Sequence, residues 1–271
     1  TEDKDVTTLG RGASDLTAVA LAAVLNAQRC EIYTDVEGIY TGDPEFIPDA
    51  RLLSEVSFED MLEFSSHGAK MNPRSIELAM VYDVPIVVGS SFADSPGTLI
   101  HGGVQMDSIV GEIRNRVVGV TSEKQVAKVT VYSVIDRPGV AAAIFDPLAE
   151  TGISVDVIVQ NSSISGTADL TFTVMESDLD KATKVLEKII PDLGGGRIGT
   201  SRGLAKISVV GTGMQNSPGY ASRMFRALSD NNTNIEMITT SEIRITCIVK
   251  EESSESAARA IHAAFDLDKV I

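Results

Sequence analysis

The sequence predicts an α/β protein with two parts: an open, mainly parallel sheet over residues 1–103, and two copies of a smaller α+β unit after it. Short apolar strands alternate with helical patterns in the first part, which is typical of a parallel sheet with helices on both faces. The second part contains an internal repeat. A glycine pair, Gly102-Gly103, marks the predicted boundary.

The apolar pattern of the first part predicts three helices and two strands. We expect the helices at 16–27, 58–64 and 75–82, and the strands at 30–34 and 85–88. Sheets of this kind bind ligands beyond the carboxyl ends of their strands. The turn before the first helix and the Thr34-Asp35 pair after the first strand are therefore both expected at that edge.

The turn from Thr7 to Asp15 combines glycines, hydroxyls, a guanidinium and a carboxylate. Small residues let backbone N–H groups approach an anion, and the positive end of the following helix points to the same place. Arg11 could clamp a carboxylate through two parallel hydrogen bonds, and Asp15 could accept a proton or orient a cation. An ordinary turn, in which Ser14 or Asp15 caps the helix, explains the same residues equally well.

The second part repeats one order of elements. Residues 127–131 (Ala-Lys-Val-Thr-Val) are echoed by residues 205–209 (Ala-Lys-Ile-Ser-Val), and Pro-Gly follows each run. Strand, helix, strand, strand and helix then occur in both copies, so amphipathic helices should cover one face of a four-stranded sheet in each. The second copy ends after its second helix. We therefore expect the strand at 116–121 to complete its sheet, with the first copy inserted within the second.

Composition narrows the function classes. The chain has 23 Lys and Arg against 38 Asp and Glu, a net charge of −15, which argues against nucleic acid or an anionic membrane as partner. No apolar run approaches the roughly 18 residues that span a bilayer. Cys30 and Cys247 lie in apolar runs without metal-ligand spacing, as expected for buried thiols of a cytoplasmic protein. The three histidines are scattered, so we predict no metal site formed by side chains.

Several segments resemble one family in its own order. The segment from Thr7 to Ala18 resembles the TTLGRGGSDTTA signature of aspartokinases, and the segment from Cys30 to Pro44 is similar to the family's EIYTDVDGVYTADP. Further similar blocks lie at 57–70, 84–99, 136–139, 159–161 and 239–245. The sequence thus looks like the C-terminal two-thirds of an aspartokinase, and its repeats resemble ACT domains, which are small ligand-binding modules.

The resemblance implies four segments. They are the C-terminal part of an amino-acid-kinase domain, a connector that contributes a strand to the second ACT domain, the inserted first ACT domain and the second ACT domain, at 1–103, 104–126, 127–203 and 204–271.

The implied activity is the ATP-dependent phosphorylation of L-aspartate to 4-phospho-L-aspartate, with Mg²⁺. Arg11, Ser14 and Asp15 match the aspartate side of the family's catalytic site. Arg11 would pair with a substrate carboxylate, and Asp15 would orient a catalytic lysine. That lysine belongs to a Lys-Phe-Gly-Gly segment that this sequence does not contain, so we expect the chain alone to form no aspartyl phosphate.

The resemblance also assigns a nucleotide site. Thr34, Asp35 and Tyr40 match residues that hold ATP, and Lys70 matches a lysine that neutralises its phosphates. Without the resemblance, a turn after a strand and a solvated lysine at a helix end would explain these residues better. The sequence departs from the family pattern at Ala13, Glu45, Gly89 and a shortened run from Lys70 to Pro73.

A second site is implied in the repeated units. The turn from Asp136 to Gly139 opens a helix whose free N–H groups can take an amino-acid carboxylate, and Asp136 offers a charge to the ammonium. Simple capping of the helix by Asp136 is the alternative. Residues of the two ACT domains match those that surround feedback effectors such as threonine or lysine in the family, namely Asp136, Gln160, Asn161, Asn234 and Ser241.

The resemblance further implies a homo-oligomer formed through the ACT domains. Two other functions stay open. One is a catalytically inert, amino-acid-sensing regulatory chain or fragment. The other is a different amino-acid kinase, such as a glutamate or carbamate kinase, which the tandem ACT repeat disfavours.

Overall fold

The structure, a computed structural model, describes residues 12–66, 71–102, 117–162, 166–194, 196–214 and 218–269. Its elements confirm the predicted α/β class. A four-stranded sheet forms the first part, and a six-stranded sheet forms the second.

The first sheet has the strand order β1-β3-β4-β2. Its strands are β1 (Cys30–Thr34), β2 (Glu55–Ser57), β3 (Ile86–Ser90) and β4 (Thr98–His101). The pairs β1–β3 and β2–β4 are parallel, whereas β3 and β4 are antiparallel. Two of the three pairs are thus parallel, as predicted, and the antiparallel pair arises because the short link from β3 to β4 turns the chain back without a crossover helix.

Three helices accompany this sheet: α1 (Ala13–Val24), α2 (Phe58–Ser66) and α3 (Pro73–Tyr82). Asn72 caps α3, because its side chain accepts a hydrogen bond from the Arg74 N–H at 3.0 Å and Pro73 occupies the first helical position. Apolar faces of the helices and strands meet in one core, which includes Val19, Phe58, Met61, Phe64, Ile76, Ile86 and Ile100.

The second sheet has the order β6-β7-β5-β8-β10-β9, and every neighbouring pair is antiparallel. Its strands are β5 (Gly119–Ile135), β6 (Ile158–Ser162), β7 (Thr167–Met175), β8 (Arg197–Val210), β9 (Met237–Thr240) and β10 (Arg244–Lys250). The helices are α4 (Val140–Glu150), α5 (Leu179–Ile189), α6 (Tyr220–Asp230) and α7 (Ser254–Ala264). They cover two apolar cores, one for each repeat.

The two repeats share their central strands. We expected a four-stranded sheet for each copy, but β5 and β8 are long enough to serve both, so one continuous sheet results. Gly119 of β5 pairs with Val210 of β8 at one end, and Tyr132 pairs with Arg197 at the other. The first residues of β5 thus lie in the sheet of the second repeat.

The crossing point between the repeats is pseudo-symmetric. Gln125 and Gly203 hold equivalent positions with left-handed backbones, at φ 61° and 64°. Their N–H groups donate to Glu251 Oε2 (3.1 Å) and Glu176 Oε2 (3.0 Å), respectively. The ladder shifts register on both sides of Val126, so each long strand bends where it passes from one repeat to the other.

Ion pairs cross between the repeats in both directions. Lys128 Nζ of the first repeat lies 2.7 Å from Glu236 Oε2 of the second. Lys206 of the second repeat, which is 7% exposed, pairs with Asp156 of the first and with Glu123 of β5. Because Lys206 is buried, loss of either carboxylate would leave its charge poorly compensated.

The first part packs directly against the second repeat. The Val120 N–H of β5 donates to Thr41 O at 2.8 Å, and the Thr212 N–H donates to Asp60 Oδ1 of α2 at 2.9 Å. Arg244 of β10 pairs with Glu63 of α2 at 2.9 Å. Burial raises the pKa of Asp60, which is 4% exposed, while its hydrogen bonds from Ser57 and Thr212 oppose that rise.

Both cysteines are buried free thiols, as expected. Burial raises the pKa of Cys247 to about 12, so it is not a thiolate at neutral pH. Within the described ranges, no helix is long and apolar enough to cross a membrane. The same residues contain no group of three or more His, Cys, Asp or Glu side chains that could hold a metal ion.

A buried histidine also joins the two parts. His262 of α7 is 1% exposed, and its Nε2 lies 2.9 Å from Thr41 Oγ1. Thr41 Oγ1 accepts the Arg51 N–H at 2.9 Å, so its own hydrogen can be donated to a neutral imidazole. Burial lowers the pKa of His262, and the nearby Arg51 adds to this effect, whereas Asp49 and Asp268 oppose it.

Replacement of His262 by Gln should change how stability depends on pH. Because the folded state resists protonation of His262, the wild type should lose stability as the pH falls below about 6.5, the ordinary pKa of histidine, whereas the variant lacks this contribution. Urea unfolding between pH 7.5 and 5 should therefore show a steeper loss for the wild type. Parallel profiles for the two proteins would contradict this assignment.

Candidate functional site

A cavity of about 350 Å³ opens at the carboxyl end of β1. Its walls come from α1, β1, the segment 34–45, α2, β3 and the start of β5. Apolar side chains supply much of the surface, among them Ile32, Phe64, Met71 and Val88, and polar side chains supply the rest. A concave site that combines apolar walls with a few convergent polar groups is the usual form of a small-molecule site.

The structure brings four predicted site residues to this cavity: Asp15, Thr34, Asp35 and Tyr40 all line it. Ser14 is not among the lining residues, and its hydroxyl lies 3.3 Å from Asp15 Oδ1. Arg11 and Lys70, which we predicted for the aspartate and phosphate sides, lie outside the described residues.

The start of α1 lacks the side-chain cap that was the alternative to an anion-binding turn. Gly12 is the N-cap, with a left-handed backbone at φ 68°, and no side chain caps the helix. Neither Ser14 nor Asp15 therefore acts as the cap. Ala13, which departs from the family pattern, is the first helical residue, and the left-handed backbone lies at Gly12, so the methyl group of Ala13 carries no strain from a positive φ.

The loop that carries Asp35 and Tyr40 is held by a buried threonine. Thr98 Oγ1 accepts the Ile39 N–H at 2.8 Å and donates to Leu53 O at 2.6 Å. Gly38 has φ 153°, and a Cβ atom there would lie 2.5 Å from Thr98 Oγ1. Only glycine fits this close approach, which fixes the path of the loop along the cavity.

Hydrogen bonds and burial set the character of the side chains in this loop. Thr34 Oγ1 donates to Asp35 Oδ1 at 2.9 Å, and the Ser91 N–H donates to Thr34 O at 2.8 Å. Burial, together with the charge of Glu37, raises the pKa of Tyr40, so its hydroxyl stays protonated and can donate a hydrogen bond.

The described lining of the cavity is acidic. It contains four carboxylates and neither lysine nor arginine; the carboxylates are those of Asp15, Asp35, Asp43 and Glu45. The Glu45 N–H donates to Asp43 Oδ1 at 2.9 Å, which forms a tight turn around Pro44. A phosphate group in this cavity would need cations from other residues or from a metal ion.

One wall of the cavity was not predicted from the sequence. Val120, Thr121 and Ser122, at the start of β5, line the cavity although β5 belongs to the second sheet. We predicted the strand at 116–121 but assigned it only to the second repeat. A strand pattern shows which residues are apolar but not which distant segment lies beside its free edge.

The second predicted site lies on the six-stranded sheet. Asp136 directly follows β5, and its N–H donates to Gly166 O at 3.0 Å. Gly139 is the left-handed N-cap of α4, and no side chain caps that helix. Asp136 therefore does not cap α4, so the capping alternative does not explain its position.

The five predicted effector residues do not meet within one chain. Gln160 and Asn161 lie on β6, Ser241 follows β9, and these two strands form opposite edges of the sheet. Four strands lie between them, which corresponds to about 24 Å at the usual spacing. All five residues are exposed: Asp136, Gln160, Asn161, Asn234 and Ser241.

Comparison with sequence families matches three parts of the chain. The Amino acid kinase family matches residues 1–90, and two models of the ACT domain match residues 128–191 and 207–265. The aspartokinase of Corynebacterium glutamicum is 45% identical over 269 residues, which cover 98% of this chain and 63% of that protein. The chain thus spans somewhat less than two-thirds of the length of this relative.

Solved structures give the same relationship. Escherichia coli aspartokinase III in complex with aspartate and ADP is 28% identical, with a TM-score of 0.79 over 96% of this chain and 56% of that chain. Its complex with lysine and aspartate has a TM-score of 0.75. The regulatory subunit of aspartate kinase from Thermus thermophilus is 38% identical, with a TM-score of 0.52 over 55% of this chain and 98% of that subunit.

Substitution of Gly38 by Ala should destabilise the fold more than the same change at Gly152. Both glycines have positive φ, but a Cβ atom at Gly152 has no neighbour within 4 Å, whereas at Gly38 it overlaps Thr98. We expect about 1 kcal/mol of lost unfolding free energy at Gly152 from backbone strain alone. We expect about 3 kcal/mol at Gly38. Urea unfolding measures both losses, and equal losses would show that the Thr98 contact is not limiting.

Proposed function

Because this chain belongs to the aspartokinase family, we propose that it carries the nucleotide-facing part of an aspartate kinase joined to two amino-acid-sensing ACT domains. The reaction would be attack of the aspartate β-carboxylate on the γ-phosphoryl group of ATP, which gives 4-phospho-L-aspartate. The main support is the cavity that collects Asp15, Thr34, Asp35 and Tyr40. The complex of E. coli aspartokinase III with aspartate and ADP supports the same substrates.

Phosphoryl transfer depends on positioning and on neutralisation of charge rather than on covalent chemistry. Mg²⁺ prefers hard carboxylate oxygens, and proteins commonly bind it through one or two carboxylates together with substrate phosphates, so Asp15 or Asp35 of the cavity would hold it jointly with the nucleotide. Bound Mg²⁺ would offset the negative charge of the phosphates. Arg11 and Lys70 would supply further positive charge, Arg11 to a carboxylate of aspartate and Lys70 to the phosphates.

The other described groups would orient the nucleotide. The protonated Tyr40 hydroxyl and the Thr34 hydroxyl offer hydrogen bonds, and the glycine at position 38 holds their loop in place. Asp15 would orient the cation that stabilises the migrating phosphoryl group. That cation is a lysine of the family's Lys-Phe-Gly-Gly segment.

The ACT domains would bind lysine, threonine or both as feedback effectors. The E. coli complex with lysine supports lysine. Uncapped N–H groups at the start of α4 would take the ligand carboxylate, and Asp136 would take its ammonium. Since the remaining predicted residues lie at the opposite edge of the sheet, a second copy of the chain would bring Asn234 and Ser241 to this site.

Pairing between two copies would also cover strand edges. The strands β6 and β9 end the six-stranded sheet, and an exposed edge invites another strand. A two-fold arrangement of two such sheets would be self-complementary. We therefore propose a homo-oligomer formed through the ACT domains.

A second candidate function is that of a regulatory chain without catalysis of its own. The regulatory subunit of T. thermophilus aspartate kinase favours this second function, because that separate chain matches 55% of the present chain. A cavity that binds nucleotide distinguishes the two functions, since amino-acid sensing alone does not require one.

The chain alone should bind Mg·ADP but form no aspartyl phosphate. Nucleotide binding needs the cavity, whereas turnover also needs the lysine, whose removal costs several kcal/mol in the transition state. Titration calorimetry measures the binding, and trapping with hydroxylamine measures the product. Product above background would contradict the expected inactivity, and absence of nucleotide binding would favour the regulatory function.

Replacement of Asp136 by Ala should abolish most effector binding. The ligand's ammonium would lose its carboxylate partner, which costs about 2 to 5 kcal/mol. This corresponds to at least a roughly twentyfold loss of affinity for lysine or threonine in titration calorimetry.

The matched control is Asp146→Ala, which removes another exposed carboxylate from α4 of the same repeat. It should bind the effector like the wild type. Normal binding by Asp136→Ala, or no binding of either amino acid by the wild type, would refute the sensing role.

A further inference from the structure

One wall of the proposed nucleotide cavity is formed by residues 120–122 of β5, which belong to the sheet of the ACT domains. Thr121 and Ser122 lie near the start of β5, whose other end precedes Asp136. Neither residue belongs to the motifs that suggested a nucleotide site.

Both hydroxyls are buried without a hydrogen-bond partner among the described residues. Thr121 is 8% exposed, and neither its Oγ1 nor the Oγ of Ser122 finds an acceptor or donor there. Buried polar groups in folded proteins are normally paired, so two neighbouring exceptions that line one cavity require an explanation.

Other buried hydroxyls of the same sheet are paired. Thr130 Oγ1 lies 3.0 Å from Thr171 Oγ1, and Ser208 Oγ lies 2.7 Å from Thr246 Oγ1. Because pairing is the normal state in this sheet, the unpaired hydroxyls at the cavity indicate a partner that is not part of the chain.

The backbone beside them is also available. Val120 directs its N–H away from β8, to Thr41 O. Residues two apart in a strand direct their backbone groups to the same edge, so the N–H and C=O of Ser122 face the free edge of β5 as well. Together with the two hydroxyls, they form an uncharged surface of donors and acceptors.

The charge of this wall selects the part of the ligand that contacts it. The four carboxylates of the cavity belong to α1 and the segment 35–45, whereas the three lining residues of β5 are uncharged. Phosphates and Mg²⁺ belong with the charged groups, and a neutral moiety suits the β5 wall. We infer that Thr121 and Ser122 bind the ribose or base of the nucleotide, an assignment that rests on the proposed nucleotide site.

The test compares Thr121→Val and Ser122→Ala with the wild type. Valine keeps the shape of threonine and removes only the hydroxyl. We expect Thr121→Val and Ser122→Ala each to weaken Mg·ADP binding about threefold to tenfold in titration calorimetry, the usual effect of one hydrogen bond. Binding of pyrophosphate, which lacks ribose and base, should not change.

The melting temperature separates a binding role from a structural one. Removal of an unpaired buried hydroxyl should leave the melting temperature of the ligand-free chain unchanged or raise it. The matched control is Thr130→Val in the same strand, which breaks the pair with Thr171. It should lower the melting temperature and leave ADP binding unchanged.

Equal ADP affinity of Thr121→Val and the wild type would overturn this assignment and leave the proposed nucleotide site intact. So would a lowered melting temperature of Thr121→Val, or an equal loss of ADP and pyrophosphate binding. If the wild type binds no ADP, both the assignment and the nucleotide site fail.

Discussion

The antiparallel pairing of β5 with β8 is the constraint on which the rest of the structure depends. These two strands form the centre of the six-stranded sheet and belong to both ACT domains, so neither domain has a complete sheet without the other. The reciprocal pairs Lys128–Glu236 and Lys206–Asp156 reinforce the same junction. A module that takes one strand of its sheet from its neighbour cannot unfold independently, and we expect the two domains to behave as one cooperative unit.

The same pairing also places the kinase-like part. The start of β5 pairs with β8 along one edge. Along its other edge, the Val120 N–H donates a hydrogen bond to Thr41 O. Asp60, Glu63 and His262 add contacts from α2 and α7 around this point. The six-stranded sheet and α7 therefore contact the loop that contains Tyr40 and Asp43 and restrict its movement. A bound nucleotide and a bound effector would act on one continuous body rather than on two domains joined by a linker.

Much of this architecture could be predicted from the sequence. The repeat of residues 127–131 at 205–209 revealed the two modules, because hydrophobic periodicity and turn residues act locally. The Thr34-Asp35 pair could be placed at the edge of the sheet because it follows a strand, whereas Tyr40 was assigned only through the family resemblance. The antiparallel β4, the continuous six-stranded sheet and the position of Thr121 in the cavity wall could not be predicted, since each depends on which distant edges pair. The cap at Gly12 was missed because this glycine acts through backbone geometry alone.

The length of β5 limits the kinds of movement that could couple its two ends. Residues 121 and 136 are separated by about 50 Å of extended chain, and the strand is locked to β8 over most of that distance. A slip of one residue would turn Thr121 to the opposite face of the sheet, and a slip of two would move it by about 7 Å, so neither is a small adjustment. What remains is a tilt or bend of the coupled ladder, with the glycine at 203 and the left-handed Gln125 at its pivot. In such a lever, a slight movement near Asp136 would reach the cavity wall at Thr121 as a change of angle.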